Sequence, residues 1–314
     1  MKKIIGVAFA FVVAASALFA GPFSDLAKGI GSLDMSKSEP AVGKLPDGRD
    51  VLPVIFKYAN DDSTPDKRVI DSYVKFTDMN PVDKEYSFVQ GVVFKFGIAL
   101  QKQESEVTVK QEGGGFSVVT LSMITVNVDK NGNETGKPVS NPTSTLNKNS
   151  KNIAGDIEKM AKALSDDEYK ERFNQAVTSP FVLYGVAKKS ALVFKKFIKD
   201  NEIIGRKISE KIIVTKVDEA PSSAKGYSYF VSGDTICGYK RETLLGAELL
   251  SPKYMTLYVY TNNDEAVSLT PTDIKDLIAT GGKAGSKYTV NGTIADVTRT
   301  ESSGVMFVTI NVNE

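Results

Sequence analysis

The sequence predicts an α+β protein that is mostly antiparallel β, with an N-terminal β-rich domain, a helical connector and a C-terminal β domain. Three observations predict this class. Segments in which apolar and polar residues alternate, as they do in β-strands, lie in both halves of the chain. Helical patterns with capping signals lie between the two halves. The length of 314 residues favours two domains over one.

These patterns divide the chain into five segments. They are a signal peptide at 1–20, a flexible lead-in at 21–50, a β-rich domain at 51–140, a linker with amphipathic helices at 141–204, and the C-terminal β domain at 205–314.

The N-terminus, "MKKIIGVAFAFVVAASALFAG", has the layout of a secretory signal peptide. Lys2 and Lys3 precede an apolar run from Ile4 to Phe19, and small residues follow where a signal peptidase cuts. We therefore expect an exported protein, periplasmic or extracellular after cleavage. Removal of the two lysines takes the formal charge from +1 to about −1, which makes a nucleic-acid partner unlikely on electrostatic grounds.

The N-terminal domain begins with "VLPVIFKYA" (51–59), which we interpret as an edge strand because it carries Pro53. "RVIDSYVKFTD" alternates and predicts a second strand. "EYSFVQGVVFKFGIAL" (85–100) predicts one further strand. Two more strands flank the glycines at 113–115, and the second of them ends in the turn "DKNGNETG".

The connector begins with a polar linker, 141–152, followed by helices. Ser165 and Glu168 form a capping box, and Pro180 restarts the helix after an interruption. We predict one helix from there to about Asn201. Its lysines could contact an anionic membrane surface, or they could form a solvated face over a buried apolar stripe. They are Lys188, Lys189, Lys195, Lys196 and Lys199.

The C-terminal segment has the order strand, strand, strand, short helix, strand, strand. In the helix, Thr270 is the cap, Pro271 fills the first turn and glycines 281–282 end it. "LTPTDIKDLIATGGKAGSKYTVNGTIADV" and the preceding "ALVFKKFIKDNEIIGRKISEKIIVTKVDE" resemble exported bacterial domains of the oligonucleotide/oligosaccharide-binding (OB) fold. This resemblance implies a five-stranded OB-like β-barrel and carries no catalytic residue.

The N-terminal half is similar in its order of elements to a helix-grip lipid-binding cup. This likeness supports an alternative function, a carrier of lipid or another apolar ligand. The carrier hypothesis expects a cavity lined by Phe88, Val92, Phe94, Phe96 and Ile124.

The composition excludes several kinds of catalysis. The chain has no histidine and one cysteine, Cys237, which rules out Ser-His and Cys-His dyads and histidine- or thiolate-based metal sites. Ser222 and Lys225 match a serine acyl-enzyme motif, but they lie in a sequence typical of a loop. The turn 129–136 departs from the calcium-loop pattern, and the acidic stretch 60–67 could bind calcium loosely, although we favour a solvated loop there. We predict a protein that is not an enzyme and has no cofactor and no metal.

The remaining candidate chemistry is aromatic. OB barrels bind ligands on their second and third strands, often by stacking on rings. The candidate ligand-binding residues are Tyr227, Tyr229, Tyr239, Lys240, Arg241, Tyr254, Tyr258 and Tyr260. The main hypothesis is an exported, non-catalytic protein of the bacterial envelope that binds a protein or small ligand or acts as a scaffold. The apolar-ligand carrier is second, and a glycan hydrolase that uses only carboxylates is last.

Overall fold

A computed structural model of the chain describes residues 43–45, 47–60, 68–112, 114–141, 143–244, 247–273, 275–276 and 285–314. The predicted signal peptide lies outside the described residues, as do residues 61–67 of the acidic stretch and most of the predicted helix at 270–282. The fold class predicted from the sequence is confirmed: an N-terminal antiparallel sheet, a helical connector and a C-terminal five-stranded barrel.

The N-terminal sheet is a meander in which consecutive strands are neighbours. Its strands are β1 (Val69–Asn80), β2 (Glu85–Phe96), β3 (Ala99–Glu112), β4 (Gly115–Val128) and β5 (Val139–Ser140). The prediction of one strand over 85–100 is wrong, because a two-residue turn at Gly97 and Ile98 reverses the chain. Gly97 supplies the positive φ of 60° that this turn requires.

The prediction of a strand at 51–59 is also wrong, because Leu52–Ala59 forms helix α1. Pro53 lies in its first turn, where backbone N–H groups have no partner within the helix, so the missing N–H of proline costs no hydrogen bond. Leu52, Ile55 and Ala59 are buried at helical spacing against the core. A largely apolar run of this length fits a buried helix as well as a strand.

The segment interpreted as a linker, 141–152, is largely helical, because helix α2 spans Thr143–Ala163. Ile153, Ile157 and Ala161 recur every fourth residue and are buried. The helix packs along β4 with this narrow apolar stripe. The polar composition of 141–152 concealed the helix in the sequence.

The rest of the connector consists of three short helices, α3 (Asp166–Thr178), α4 (Pro180–Ala187) and α5 (Ala191–Asp200). The predicted cap is present, since the hydroxyl of Ser165 accepts a hydrogen bond from the backbone N–H of Glu168 at 3.3 Å. The single helix predicted from Pro180 to Asn201 is interrupted at 188–190. Ser190 starts α5 by accepting from the N–H of Val193 at 3.1 Å.

The C-terminal strands close into a five-stranded mixed barrel. They are β6 (Lys207–Glu219), β7 (Tyr229–Leu244), β8 (Ala247–Thr261), β9 (Lys287–Ser302) and β10 (Val305–Asn313). The order around the barrel is β6-β7-β8-β10-β9, with β8 and β10 parallel and all other pairs antiparallel. This arrangement is compatible with an OB-like barrel.

Helix α4 joins the sheet to the barrel. It packs against β1 on one side and against β7 on the other, and Val182, Leu183 and Val186 are fully buried. The guanidinium Nε of Arg299, in β9, donates to the carbonyl oxygen of Ala187 at 2.9 Å. The sheet, the connector helices and the barrel therefore share one hydrophobic core.

Candidate functional site

The pairing of β7 with β8 decides which aromatic residues share a side of the barrel. Phe230 lies opposite Tyr260 in the register. Val259, which stands between Tyr258 and Tyr260, is fully buried inside the barrel. Because neighbouring residues of a strand point to opposite faces, Tyr258 and Tyr260 point outward.

Four rings form a partly exposed cluster on this outer side, which we call the aromatic surface: Tyr227, Phe230, Tyr258 and Tyr260. The ring centroid of Phe230 lies 5.5 Å from that of Tyr258 and 5.4 Å from that of Tyr260. Tyr227, just before β7, lies 6.1 Å from Tyr260. Tyr258 is 39% exposed. The aromatic surface offers ring faces and edges to a ligand without a change of the backbone.

The other predicted tyrosines lie elsewhere. The hydroxyl of Tyr229 donates to Oδ1 of Asp264 at 3.3 Å, away from the ring of Tyr260. Tyr239 lies at the junction with the N-terminal sheet, with Nζ of Lys75 5.9 Å from its ring centroid. The hydroxyl of Tyr254 is buried and makes no hydrogen bond to any described residue.

The two predicted basic residues are far from the aromatic surface. Lys240 pairs with Ser251, nine residues along β8 from Tyr260, which corresponds to roughly 30 Å of extended strand. Lys240 lines a different depression, together with Lys253. The side chain of Arg241 lies outside the part of the chain that the structure describes. The predicted set therefore does not form a single site.

The surroundings of the aromatic surface are polar but carry little net charge. Asn311 on β10 lies opposite Tyr258, and Lys216 on β6 lies opposite Ser232. The ammonium group of Lys216 forms an ion pair with Asp218. The sequence of the segment 206–314 contains 12 basic and 13 acidic residues, which gives a formal net charge of −1.

Two carboxylates border a small cleft of about 290 Å³ between the sheet and the barrel. Oε1 of Glu210 accepts from the hydroxyl of Thr235 at 3.0 Å, and Oδ1 of Asp234 accepts from the hydroxyl of Thr256 at 2.7 Å. Burial raises the pKa of both carboxyl groups. Asp234 and Thr235 are adjacent in β7 and point to opposite faces, so the two carboxylates are bound by hydroxyl groups on opposite faces of the sheet although both line the cleft.

Cys237 lies at an irregularity of β7, between Ile236 and Gly238, and is buried. Burial raises the pKa of its thiol to about 12. A thiol in this environment is a packing residue and a poor nucleophile.

Asp129, in the turn after β4, has a carboxylate that is held by hydrogen bonds from the same turn. Oδ1 of Asp129 accepts from the backbone N–H groups of Asn131 and Asn133, at 2.8 and 2.9 Å, and Oδ2 accepts from the Asn133 amide at 3.0 Å. These bonds lower the pKa of Asp129. In the described part of the chain, no group of three or more His, Cys, Asp or Glu side chains is placed to hold a metal ion.

The predicted lysine face is divided by the break between α4 and α5. Lys188 forms an ion pair with Asp78 at 2.8 Å, and Lys189 forms one with Asp83. Both acidic residues belong to the N-terminal sheet region. Lys195 and Lys199 instead border a groove between α5 and β9. The prediction of peripheral membrane contact therefore depends on the lysines of α5, which include Lys196.

The residues expected to line a carrier cavity are spread along the sheet. Phe88 is fully buried, and its ring lies 6.3 Å from that of Phe76 and 5.9 Å from that of Tyr58. Phe96, on the same strand, is 62% exposed. Around Phe88, aromatic rings fill the space between the sheet and the helices.

Sequence reasoning missed Phe230, the ring that joins the other three. The alternation in "GYSYFVSG" points to Tyr227 and Tyr229 as a pair, whereas the chain enters β7 in a register that places Phe230 beside Tyr260. Aromatic residues on neighbouring strands are also common as ordinary cross-strand pairs that stabilise a sheet. The sequence therefore carries no signal that distinguishes Phe230 and the tyrosines of β8 as a binding surface.

Comparisons with models of protein families, with curated proteins and with solved structures found no match to this chain. Among the described residues, no helix combines the length and apolar character needed to cross a membrane. The fold and the aromatic surface are therefore the basis for a functional assignment.

Proposed function

We propose that this protein is an exported, non-catalytic protein of the bacterial envelope that acts by binding, and that its contact surface is the aromatic surface of an OB-like barrel. The observation that carries this proposal is the cluster of Tyr227, Phe230, Tyr258 and Tyr260, whose rings pack together while Tyr258 stays 39% exposed.

The position of the cluster supports this role. It lies on the outer side of β7 and β8, the second and third strands of the barrel, and these are the strands on which OB barrels bind their ligands. Partly exposed tyrosines are common in binding surfaces, because a rigid ring gives contact area at a small cost in conformational entropy.

The chemistry of the surface favours a ligand with apolar or ring-bearing groups, on a protein or a small molecule. Lys216 is held by Asp218, and Lys240 is far away along β8. A phosphate-rich ligand would find few cations here. The absence of histidine from the sequence and the burial of Cys237 support binding over catalysis.

Site-directed photo-crosslinking in the native bacterium tests the binding surface. A benzophenone-bearing amino acid replaces Tyr258 in one strain and Thr298, an exposed residue of β9, in a control strain. We expect a discrete adduct from position 258 that the position 298 strain lacks. Equal labelling from both positions, or no adduct at 258, would refute the aromatic surface as the contact surface.

Export is tested separately with a reporter. Residues 1–30 are fused to a leaderless alkaline phosphatase, an enzyme that becomes active after export from the cytoplasm. We expect an active fusion, and we expect lower activity when Lys2 and Lys3 are both changed to Glu. An inactive wild-type fusion would remove the envelope from the proposal and leave the binding surface to be judged by the crosslinks.

A further inference from the structure

A groove of about 820 Å³ lies between helix α3 and the barrel strands β6 and β9. Its size falls within the range of about 300–1,000 Å³ that ligand clefts occupy. The groove borders Asn313, which pairs with Tyr260 of the aromatic surface. Neighbouring strands of a five-stranded barrel face directions about 70° apart, so the groove and the aromatic surface face different ways.

Hydrogen bonds hold the polar groups of this groove in place. The hydroxyl of Ser209 donates to Oδ1 of Asn291 at 2.7 Å. The side-chain amide of Gln175 donates to Oε1 of Glu171 at 3.1 Å, and Nη1 of Arg172 donates to Oε1 of Gln175 at 3.0 Å. A ligand that enters the groove therefore meets oriented groups and loses less entropy in ordering them.

The groove also contains a carboxylate that is partly removed from water. Oε1 of Glu210 accepts from Thr235 and from the N–H of Lys211, at 3.0 and 3.2 Å. Burial raises the pKa of this carboxyl group. A hydroxyl group of a ligand can donate a hydrogen bond to its oxygens.

One aromatic ring adds an apolar contact. Phe56 lines the groove, and its ring stacks on that of Phe76 with centroids 5.6 Å apart and planes 5° from parallel. The stacking fixes the orientation of the Phe56 ring. Such a ring provides an apolar contact for the C–H groups of a sugar.

The charges of the groove disfavour an anionic ligand. Its lining holds three carboxylates, those of Glu171, Glu210 and Glu314, and one ammonium group, that of Lys207. Glu314 is already engaged, since Oε1 accepts from the N–H of Asn291 at 2.7 Å and Oε2 accepts from the hydroxyl of Tyr288. What remains is a mixture of donors and acceptors suited to hydroxyl groups.

We infer that this groove is a second ligand site, and that it binds a neutral saccharide. The combination that supports this is an oriented set of amide and carboxylate groups, a fixed ring and a volume large enough for an oligosaccharide. The inference does not depend on the aromatic surface, because the two sites share no residue.

The test uses the mature protein and neutral oligosaccharides as probes. Maltotetraose, cellotetraose and the β-1,4-linked tetramer of N-acetylglucosamine are titrated by calorimetry and by saturation-transfer NMR. Thr293→Trp places a large ring at an exposed position that lines the groove. Thr298→Trp places the same ring at an exposed position further along β9, and circular dichroism checks that both variants are folded.

We expect at least one tetrasaccharide to bind the wild type and Thr298→Trp with equal affinity, and to bind Thr293→Trp at least tenfold more weakly. If Thr293→Trp does not fold, Glu171→Ala, at an exposed helix position, provides the same comparison and should weaken binding. No saccharide binding at millimolar concentration would overturn the inference. So would binding that is insensitive to position 293 or 171.

Discussion

Gly185 of helix α4 lies so close to Met79 of β1 that a Cβ atom on Gly185 would come 1.7 Å from the Met79 carbonyl oxygen. The helix and the strand therefore touch backbone to backbone. A methyl group at position 185 has no flexible side chain to push aside, so either the helix or the strand must move.

We predict that Gly185→Ala lowers the free energy of unfolding by about 1–3 kcal/mol or more, the usual cost of overpacking. Urea denaturation monitored by circular dichroism measures the effect. Gly155→Ala is the matched control, because Gly155 is also helical and a Cβ there has nothing within 4 Å. The control should gain up to about 1 kcal/mol from helix propensity. Equal effects at both positions would contradict the close contact.

Two phenylalanines of β2 provide a second matched pair. Phe88 is fully buried among aromatic rings, and Phe96 is 62% exposed near the tip of the hairpin. We predict that Phe88→Ala costs about 3–5 kcal/mol of stability and that Phe96→Ala costs less than about 0.5 kcal/mol. Urea titration of both variants measures the difference. A small loss at position 88 would mean that Phe88 lines an open space, as the carrier hypothesis requires.

The buried carboxyl group of Glu210 should make stability depend on pH. Its pKa in the folded state is raised above the ordinary value of 4.5 by burial, so the folded state holds the proton to higher pH than the unfolded state does. The contribution of this group to the free energy of unfolding is therefore greatest below pH 4.5, and it is lost as the pH rises through the folded-state pKa.

We predict that Glu210→Gln becomes more stable relative to the wild type as the pH rises above 4.5, by at most about 1.4 kcal/mol per pH unit. Urea titrations between pH 4 and pH 7 follow the difference. Glu219→Gln, on the same strand, controls for the change of an acid to an amide. A difference that does not change with pH would show that Glu210 is not desolvated.

The thiol of Cys237 should be inert in the folded protein. Burial raises the pKa of this thiol to about 12, so only about one molecule in ten thousand carries the reactive thiolate at pH 8. We predict slow reaction with Ellman's reagent in buffer and rapid reaction of one equivalent in urea. A variant with Thr298→Cys should add one equivalent that reacts rapidly in buffer. Fast labelling of the native wild type would place Cys237 at the surface.

The sequence predicted the barrel better than the elements before it, for a physical reason. Barrel strands bury one face, so apolar and polar residues alternate clearly, as in "KYTVNGTIADV". Leu52–Ala59 is largely apolar, with Lys57 as its one charged residue, so periodicity could not separate helix from strand. The prediction of the first turns of α2 failed for the opposite reason, because 141–152 is too polar to show an apolar stripe.

The candidate site was predicted only in part, because the pairing register of β7 and β8 decides which aromatic rings come into contact. Tyr258 and Tyr260 follow from alternation along β8. The place of Phe230 depends on the pairing of two strands across the barrel, and the sequence of a single strand does not contain this information. The groove around Glu210 brings together residues from α3, β6 and β9, which together span more than a hundred positions of the chain.

Helix α4 also bears on how this protein can vary over evolution. Because it is covered by the sheet on one side and by the barrel on the other, a chain cut between residues 204 and 205 would leave an apolar face of this helix open to water in the N-terminal fragment, and would uncover the surface of β7 in the C-terminal fragment. The two halves are therefore poor candidates for exchange between unrelated proteins. Changes on the β1 side of the helix must be accommodated by the same eight residues that support the barrel.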